Sequence, residues 1–226
     1  MNITALTIVY KTPDLIKKAY ESFRIFYPDI PLVIVNNSGQ DDPCTVYIDY
    51  LDSIDNELTI INNKKNEGHG TSFNQGMDII KTDYVYYFDS DVIMFKGDVL
   101  EEMLNLINEN IYGIGKMIYT DMGGRNIPNN YEGEKLKFFY CVAGLINRNM
   151  YYKFHRWTRF GLIAYKAMVE IHNKGLSEKI LKEFPILSYV RHLSGGTRSR
   201  FGDCEDLLDD FKSKKRRKGV MTDDLD

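Results

Sequence analysis

Short apolar segments alternate with amphipathic segments in the first part of the chain, and this alternation constrains the fold more than any other feature. The apolar segments cover residues 3–10, 31–37, 58–62 and 84–89. Helical periodicity covers 13–26, 43–54 and 71–81. Strands that are separated by helices pair in parallel through right-handed crossovers. The pattern therefore predicts an α/β fold whose central sheet is open, mostly parallel and flanked by helices.

The rest of the chain continues with the same kinds of element in a less regular order. The patterns predict a helix over 97–110, strands over 112–119 and 137–148, a loop over 121–134, a helix over 159–173, and a strand within 184–198 that ends on a histidine. The sequence contains no internal repeat and no low-complexity linker. A single domain is therefore expected.

Composition supports a globular, cytoplasmic protein. The chain has 226 residues, of which 43% are hydrophobic, enough for a sizeable core. Its first residues enter an apolar strand without a basic signal region, and no segment is long and apolar enough to span a membrane. Cys44, Cys141 and Cys204 are widely spaced and odd in number, which favours reduced thiols over disulfides or a zinc site.

Polar residues follow each of the four predicted parallel strands. They are Tyr10 and Lys11, Asn36 and Asn37, Asn62 and Asn63, and finally Asp89 with Asp91. Open α/β sheets bind their ligands beyond the carboxyl ends of the strands. The agreement among the four strand ends therefore predicts a binding site at that edge of the sheet.

The stretch YVYYFDSDV, residues 84–92, ends a hydrophobic strand on two aspartates separated by one serine. Carboxylates this close repel each other and shift each other's pKa values. A hard divalent cation such as Mg²⁺ or Mn²⁺ takes oxygen ligands and would supply the missing positive charge. The alternative is a pair of solvated aspartates in the turn that follows the strand.

Four segments in this order resemble the nucleotide-sugar half of GT-A-fold glycosyltransferases of family 2. They are TIVYKTPDL, VIVNNSG, NEGHGTSFNQGMD and YVYYFDSDV. The resemblance implies a Rossmann-related, GT-A-like single domain over residues 1–200, with a nucleotide-sugar half (1–120) and an acceptor half (121–200), followed by a charged tail at 201–226. It also implies a hexosyl- or pentosyltransferase that uses a nucleoside diphosphate sugar, usually of UDP, with Mg²⁺ or Mn²⁺.

The resemblance assigns roles to particular residues. Asp91 would coordinate the metal, and Asp89 would contact the ribose or the water shell of the metal. Asn36 or Asn37 would contact the base, although asparagines at strand ends commonly cap turns instead. The expected nucleotide-sugar site comprises Val9, Tyr10, Lys11, Thr12, Asn36, Asn37, Asn66, Gly68, His69, Asn74, Asp89 and Ser90.

His192 lies in a late predicted strand, in the segment YVRHLSGGTR. Similar segments in GT-A enzymes often bring a histidine to the diphosphate or the metal, so the resemblance implies that His192 is a third metal ligand beside Asp89 and Asp91. Imidazole is a suitable ligand for Mn²⁺. The alternative is a structural histidine.

The resemblance fails at the catalytic base. Inverting members of the family usually carry an acidic pair at the head of a helix in the acceptor half, where one carboxylate deprotonates the attacking hydroxyl. The matching positions hold Ile163 and Ala164. Asp121, in the loop, and Glu170, further along the helix, are the two substitutes available. The stereochemistry of transfer stays open, because a retaining enzyme would not need that base.

The charge distribution suggests an anionic acceptor. Residues 1–140 carry 12 Lys+Arg and 21 Asp+Glu, whereas residues 141–200 carry 11 and 3. Arg156, Trp157 and Arg159 belong to a basic and aromatic stretch that could contact phosphates and stack on bases or sugars. DNA with hydroxylated bases and a phosphorylated or lipid-linked bacterial glycan are the two candidate acceptors. The alternative is a solvated helix face above buried aromatics.

Two other functions compete with sugar transfer. A nucleotidyltransferase could use a similar sheet and aspartate pair, but YKTPD, residues 10–14, stands where a glycine-rich, basic phosphate loop would be expected. An inactive module that binds nucleotide sugars or glycans would keep the fold, and the missing acidic pair is its only support. Hydrolysis of the donor would separate an enzyme from a binding module.

Overall fold

The computed structural model describes residues 2–158 and 162–193. The strands in these ranges are β1 (Ile3–Val9), β2 (Leu32–Asn36), β3 (Leu58–Asn62), β4 (Tyr84–Phe88), β5 (Val92–Met94), β6 (Gly113–Thr120), β7 (Leu136–Asn147), β8 (Leu181–Glu183) and β9 (Val190–His192). The helices are α1 (Pro13–Phe26), α2 (Pro43–Ile54), α3 (His69–Ile79), α4 (Val99–Leu106), α5 (Arg148–Tyr151), α6 (Tyr165–Asn173) and α7 (Ser177–Ile180).

Seven of the strands form one central sheet in the order β3-β2-β1-β4-β7-β6-β8. The pairs from β3 to β4 are parallel, β7 is antiparallel to both of its neighbours, and β8 is parallel to β6. A separate two-stranded ladder joins β5 to β9. The predicted α/β fold with a mostly parallel central sheet is confirmed.

Two apolar clusters fill the space on either side of this sheet. The first contains residues of α1, α2 and α4, and the second contains residues of α3, α5 and α6. Strand β4 supplies both, because Tyr86 and Phe88 join the first cluster and Val85 and Tyr87 the second. Alternate residues of a strand point to opposite faces, so a strand buried on both faces is apolar throughout.

The boundaries of several predicted elements change in the structure. Helix α3 begins at His69, two residues before the predicted start, and α6 begins at Tyr165 rather than at 159. Only 190–192 of the strand predicted within 184–198 pairs, and residues 194–198 lie outside the described ranges. The short β5, β8, α5 and α7 were not predicted, because elements of three or four residues carry no measurable periodicity.

The predicted domain boundary at residue 200 and the charged tail at 201–226 lie outside the described residues. The two predicted halves share the central sheet, since β7 of the acceptor half pairs directly with β4 of the nucleotide-sugar half. No helix in the described ranges combines the length and the apolar character that crossing a membrane requires.

Helix α3 packs closely on β1, and glycine makes this approach possible. A Cβ atom at Gly76 would lie 2.4 Å from Leu6 Cδ1, and Leu6 is fully buried. A Cβ atom at Gly70 would lie 1.5 Å from the backbone oxygen of Thr158. These two contacts fix the position of α3 against the sheet on one side and against residues 157–158 on the other.

We expect Gly76→Ala to destabilise the protein, because the added methyl group overlaps the side chain of Leu6, which is fully buried and would have to repack. Overpacking costs about 1–3 kcal/mol, and the higher helix propensity of alanine recovers up to about 1 kcal/mol of this. Thermal unfolding of the purified variant measures the net loss. Ile79→Ala, on the exposed side of the same helix, is the control, and an equal loss in both variants would contradict the packing argument.

Candidate active site

The carboxyl ends of the first four parallel strands meet at one edge of the sheet. Val9 lies beside Asn36, and Asn36 lies beside Asn62, in the registers of β1 with β2 and of β2 with β3. Strand β4 ends next to β1, so Asp89 and Asp91 follow at the same edge. The polar residues that end each strand in the sequence are therefore neighbours in space.

Backbone hydrogen bonds hold the two aspartates in a tight turn after β4. The amide of Asp89 donates to the Val142 carbonyl of β7 at 2.8 Å, which extends the β4–β7 pairing by one residue. The amide of Val92 donates to the Asp89 carbonyl at 3.0 Å and closes the turn around Ser90. The chain then enters β5, so the turn is anchored by a strand on each side.

The ladder between β5 and β9 brings His192 to Asp91. His192 lies opposite Val92, and the amide of Leu193 donates to the Asp91 carbonyl at 3.0 Å. The imidazole Nε2 of His192 lies 3.1 Å from Asp91 Oδ1. The hydrogen bond to Asp91 raises the pKa of His192 even though burial opposes the charge. The ladder thus joins the late histidine to the acidic turn.

Asp89, Asp91 and His192 form a cluster that fits a divalent cation. One ligand atom from each residue lies within 4.8 Å of the others. Two carboxylates with an imidazole suit Mn²⁺, and carboxylates suit Mg²⁺. Burial raises the pKa of Asp89 to about 7, against the hydrogen bond from Tyr87, and the charge of Asp91 adds to the rise. A bound cation would offset both the loss of hydration and the repulsion from Asp91 that raise this pKa.

Behind Asp89 lie two further polar side chains, Tyr87 and His69. The Tyr87 hydroxyl donates a hydrogen bond to Asp89 Oδ1 and is also hydrogen-bonded to His69 Nε2. His69 Nε2 lies 3.5 Å from Asp89 Oδ1. Partial burial lowers the pKa of His69, although the charge of Asp91 opposes the change, so the imidazole is neutral at pH 7.

The end of β1 forms another wall of the site. Val9 and Thr12 are buried, and Tyr10 and Lys11 are half-buried. Lys11 has a φ of 53°, a left-handed conformation that is uncommon outside glycine, and its amide donates to Ser38 Oγ at 2.8 Å. The buried hydroxyl of Thr12 makes no hydrogen bond within the described part of the chain.

The asparagines at the ends of β2 and β3 hydrogen-bond to protein groups. The Asn36 amide nitrogen donates to Thr45 Oγ1 at 2.7 Å and to Asn62 Oδ1 at 2.9 Å, and its oxygen accepts from the Ser38 amide at 3.0 Å. The oxygen of Asn37 accepts from Asn63 Nδ2 and Ser72 Oγ. Through these contacts Asn36 holds the turn after β2, which was the alternative to contact with the base.

Asn66 and Gly68 shape the start of α3. Asn66 Oδ1 accepts from the Gly68 amide at 2.9 Å, and Gly68 has a φ of 85°, which glycine adopts readily. Asn74 lies further along α3, where its amide nitrogen donates to the Trp157 carbonyl at 2.9 Å and its oxygen accepts from the Tyr151 hydroxyl. The first pair therefore positions His69, and Asn74 holds residues 151–157 against α3.

The structure corrects the expectation that Trp157 contacts an acceptor. Its side chain is 2% exposed and stacks on Phe73 with ring centres 3.8 Å apart, and its Nε1 donates to the Tyr112 hydroxyl. Arg156 is partly exposed and pairs with Asp78 at 2.8 Å. Arg159 lies outside the described residues. An indole that is so buried cannot stack on an incoming sugar or base.

Asp121 and Glu170, the two substitutes for the missing base, lie in different surroundings. Ile163 and Ala164 are buried at the head of α6. Asp121 Oδ1 accepts from the amides of Gly123 and Arg125. Burial of Tyr165, at the start of α6, raises the pKa of that tyrosine, and the charge of Asp121 adds to the rise.

Glu170 lies one turn further along α6. Burial favours its neutral form, but hydrogen bonds from Lys174 and His155 outweigh burial and lower its pKa to about 2. A carboxylate with so low a pKa is a weak base, which leaves Asp121 as the better candidate.

Tyr87 is the site residue that the sequence analysis missed, because it was assigned only to the buried strand. Residues two apart in a strand share a face. A tyrosine two positions before Asp89 could therefore have been predicted to reach that carboxylate. No comparable local signal exists for its contact with His69, which lies 18 residues earlier in the chain.

A known family resembles this chain in sequence, and solved proteins resemble it in structure. The family model described as "Glycosyl transferase family 2" matches residues 4–164 and confirms the resemblance noted in the sequence. Among curated proteins, no sequence matches significantly. A mannosyltransferase of Pyrobaculum calidifontis, PcManGT, solved in complex with GDP-Man and Mn²⁺, is similar in structure with a TM-score of 0.59 and 10% identity.

Two structures of TarS from S. aureus are also similar, with TM-scores of 0.58 and 0.53 and identities of 13% and 15%. The matches cover 97% of this chain for PcManGT and 86% for each TarS structure. The chain in turn spans 65% of the length of PcManGT, and 37% and 61% of the two TarS chains. At these identities the similarity shows the fold.

The raised pKa of Asp89 predicts a pH-dependent stability in the absence of metal. Between the ordinary aspartate pKa of 3.8 and a folded pKa of about 7, the unfolded chain releases a proton that the folded chain retains, so stability falls as pH rises through this window. Asp89→Asn lacks this titration. In EDTA, its free energy of unfolding relative to that of the wild type should increase from pH 4 to above pH 7 by on the order of a few kcal/mol, and its Tm should rise relative to the wild type over the same range.

Scanning calorimetry of both proteins at several pH values measures this margin. Groups away from the cluster titrate equally in the two proteins, so the difference reports the titration of Asp89 together with the response of His192, whose pKa the charge of Asp89 helps to raise. Addition of Mn²⁺ at pH 8 should raise the Tm of the wild type more than that of the variant. A margin that is independent of pH would contradict the assigned environment of Asp89.

Proposed function

Since the chain belongs to glycosyl transferase family 2, we propose that it transfers a sugar from a nucleotide sugar, first of all a UDP-sugar, to an acceptor hydroxyl, with Mn²⁺ or Mg²⁺ as cofactor. The observation that carries this proposal is the cluster of Asp89, Asp91 and His192 at the shared carboxyl end of the parallel strands. Ligands of open α/β sheets bind at that edge.

The cluster would hold the cation through both carboxylates and the imidazole. A cation bound there supplies Lewis-acid stabilisation of the charge that develops on the departing nucleoside diphosphate. The protein supplies the remaining contacts. Tyr10, Lys11 and Thr12, at the end of β1, would bind the nucleoside, and Asn66 with Gly68 would hold the start of α3 beside the sugar.

The identity of the nucleotide is the least constrained part of the proposal. The family resemblance favours UDP, whereas PcManGT was solved with GDP-Man. Asn36 uses its side-chain amide within the protein, so base recognition falls to the backbone and to the other residues of this wall. The experiments below therefore include both nucleotides.

Asp121 is the carboxylate that we propose for deprotonating the acceptor hydroxyl. It adjoins Tyr165 at the head of α6, next to the position where the family pattern expects the base. Its Oδ1 is held by two backbone amides, which orients the carboxylate. An inactive binding module is the second candidate function, and the buried Ile163 and Ala164 at the expected position favour it.

The acceptor is proposed to be anionic, with hydroxylated-base DNA or a phosphate-bearing glycan as the two classes. The excess of Lys and Arg in residues 141–200 supports this proposal. Part of that charge is already paired, since Arg156 binds Asp78 and Lys174 binds Glu170. The net attraction would therefore be smaller than the count of charges suggests, and it would weaken with salt.

Metal-dependent donor binding is the first test of the function. We expect UDP or GDP with Mn²⁺ to raise the Tm of the wild type, because a ligand that binds only the folded state stabilises it, by about 2.7 kcal/mol at a hundred times Kd. Asp91→Asn should remain folded and lose the metal-dependent part of this shift. His192→Ala should lower donor turnover by at least about tenfold, or roughly 1.4 kcal/mol.

His172→Ala is the matched control, because His172 bonds to Glu134 away from the acidic cluster. Thermal shift and hydrolysis of UDP- and GDP-sugars measure binding and turnover separately. Full activity of Asp91→Asn, or of the wild type in excess EDTA, would refute the metal role. Metal-dependent binding without any hydrolysis or transfer would identify a binding module.

The charge of Arg156 provides the test of the acceptor. Arg156→Glu and Asp78→Asn both break the ion pair between these residues, but only the first adds negative charge. We expect Arg156→Glu to raise the KM for an anionic acceptor several-fold while leaving donor hydrolysis unchanged, and Asp78→Asn to leave the KM unchanged or lower. Transfer assays at several salt concentrations measure both. An equal effect of the two variants, or transfer to neutral acceptors alone, would contradict an anionic acceptor.

A further inference from the structure

Three side chains form a chain of hydrogen bonds that ends on Asp89. His69 Nε2 bonds to the hydroxyl of Tyr87, and that hydroxyl donates to Asp89 Oδ1. The ring of Tyr87 is fully buried. His69 keeps 37% of its side-chain surface exposed and Asp89 keeps 22%. A buried hydroxyl therefore connects two groups that both face the candidate site.

The protons of this chain can be assigned by counting donors and acceptors. The tyrosine hydroxyl has one proton, and Asp89 in its ionised form, which is the form that binds a cation, accepts but cannot donate. If Tyr87 donates to Asp89, its contact with His69 requires a proton on His69 Nε2. The opposite assignment would leave Asp89 Oδ1 without this donor beside the carboxylate of Asp91, which is the less stable arrangement for two neighbouring negative charges.

Packing fixes the two upstream members of the chain. His69 is the first residue of α3, and the next residue, Gly70, lies so close to Thr158 that a Cβ atom would overlap its carbonyl. The ring of Tyr87 packs edge-on against Phe73 at 5.4 Å and against Trp157 at 5.9 Å between ring centres. Neither the backbone of His69 nor the hydroxyl of Tyr87 can shift far without disturbing the core.

We propose that His69 and Tyr87 are positioning residues that hold the Asp89 carboxylate in one orientation, with His69 in the Nε2–H tautomer donating to Tyr87 and Tyr87 donating to Asp89. This inference rests on the proposed function, because the orientation matters for a carboxylate that receives a cation and a nucleotide sugar. Outer partners of metal-binding carboxylates and imidazoles commonly control ligand orientation in this way. Neither residue needs to contact the donor for this role.

Three variants separate the role of each member. Tyr87→Phe removes the hydroxyl and keeps the ring, His69→Leu removes the donor at the start of the chain, and His69→Gln offers an amide N–H in its place. Tyr86→Phe is the matched control, since Tyr86 is equally buried on the opposite face of β4 and its hydroxyl makes no hydrogen bond among the described residues.

We expect Tyr87→Phe and His69→Leu each to weaken Mn²⁺ binding in the presence of UDP by about tenfold, measured by electron paramagnetic resonance, and to lower kcat similarly. The double variant should be no worse than either single variant, because both changes break one chain. His69→Gln should recover part of the loss, and Tyr86→Phe should behave as the wild type. Additive losses, or single variants that bind Mn²⁺ normally, would overturn the proposal.

The tautomer of His69 provides a test that needs neither metal nor activity. Nitrogen-15 chemical shifts of the imidazole in the metal-free wild type, recorded well above pH 7 so that the Asp89 carboxyl is ionised, should identify a protonated Nε2, and Tyr87→Phe should shift that signal. A protonated Nδ1 with a bare Nε2 would overturn the assignment. If the wild type shows no metal-dependent nucleotide binding, the proposed function fails whatever the tautomer is, so the two failures are distinguishable.

Discussion

Two carboxylates at the end of a buried strand have to be held together against their mutual repulsion, and the site is organised around this constraint. Asp89 is bonded through its side chain to Tyr87 and through its amide to β7. Asp91 is bonded to His192 through its side chain and to Leu193 through its carbonyl. The pKa of Asp89, raised to about 7 by burial with a contribution from Asp91, indicates that these contacts do not fully offset the cost. A divalent cation is the group that would.

The close packing of α3 extends this organisation into the core. Gly76 lets the helix lie on β1, and Gly70 lets its first turn contact Thr158. Trp157, Phe73 and Tyr87 then pack together, so the same cluster that stabilises this face of the sheet also fixes the hydroxyl beside Asp89. Core packing and the geometry of the site therefore depend on the same residues, and substitutions there are expected to affect both.

The nucleotide-sugar half of the chain follows the family pattern more closely than the acceptor half does. The expected acidic pair is replaced by the buried Ile163 and Ala164. Glu170 is held in its ionised form by Lys174 and His155, and Trp157 packs in the core. What remains at the head of α6 is Asp121, contributed by the loop after β6. A base at Asp121 would therefore reach the acceptor hydroxyl from the loop after β6, whereas the family pattern places the base on the helix itself.

The sequence by itself determined the alternation of strands and helices, the sheet that follows from it, the edge where the site lies and the aspartate pair within it. These features depend on periodicity and on the residues that directly follow each strand, and both are local. Tertiary structure decided which distant residues join the site. His192 reaches Asp91 through a three-residue ladder too short to carry a periodic signal, His69 meets Tyr87 only after α3 docks on β1, and Trp157 turns inward because Phe73 offers a partner. Contacts of this kind depend on how separate elements pack against each other, and the spacing of residues along one element does not predict that packing.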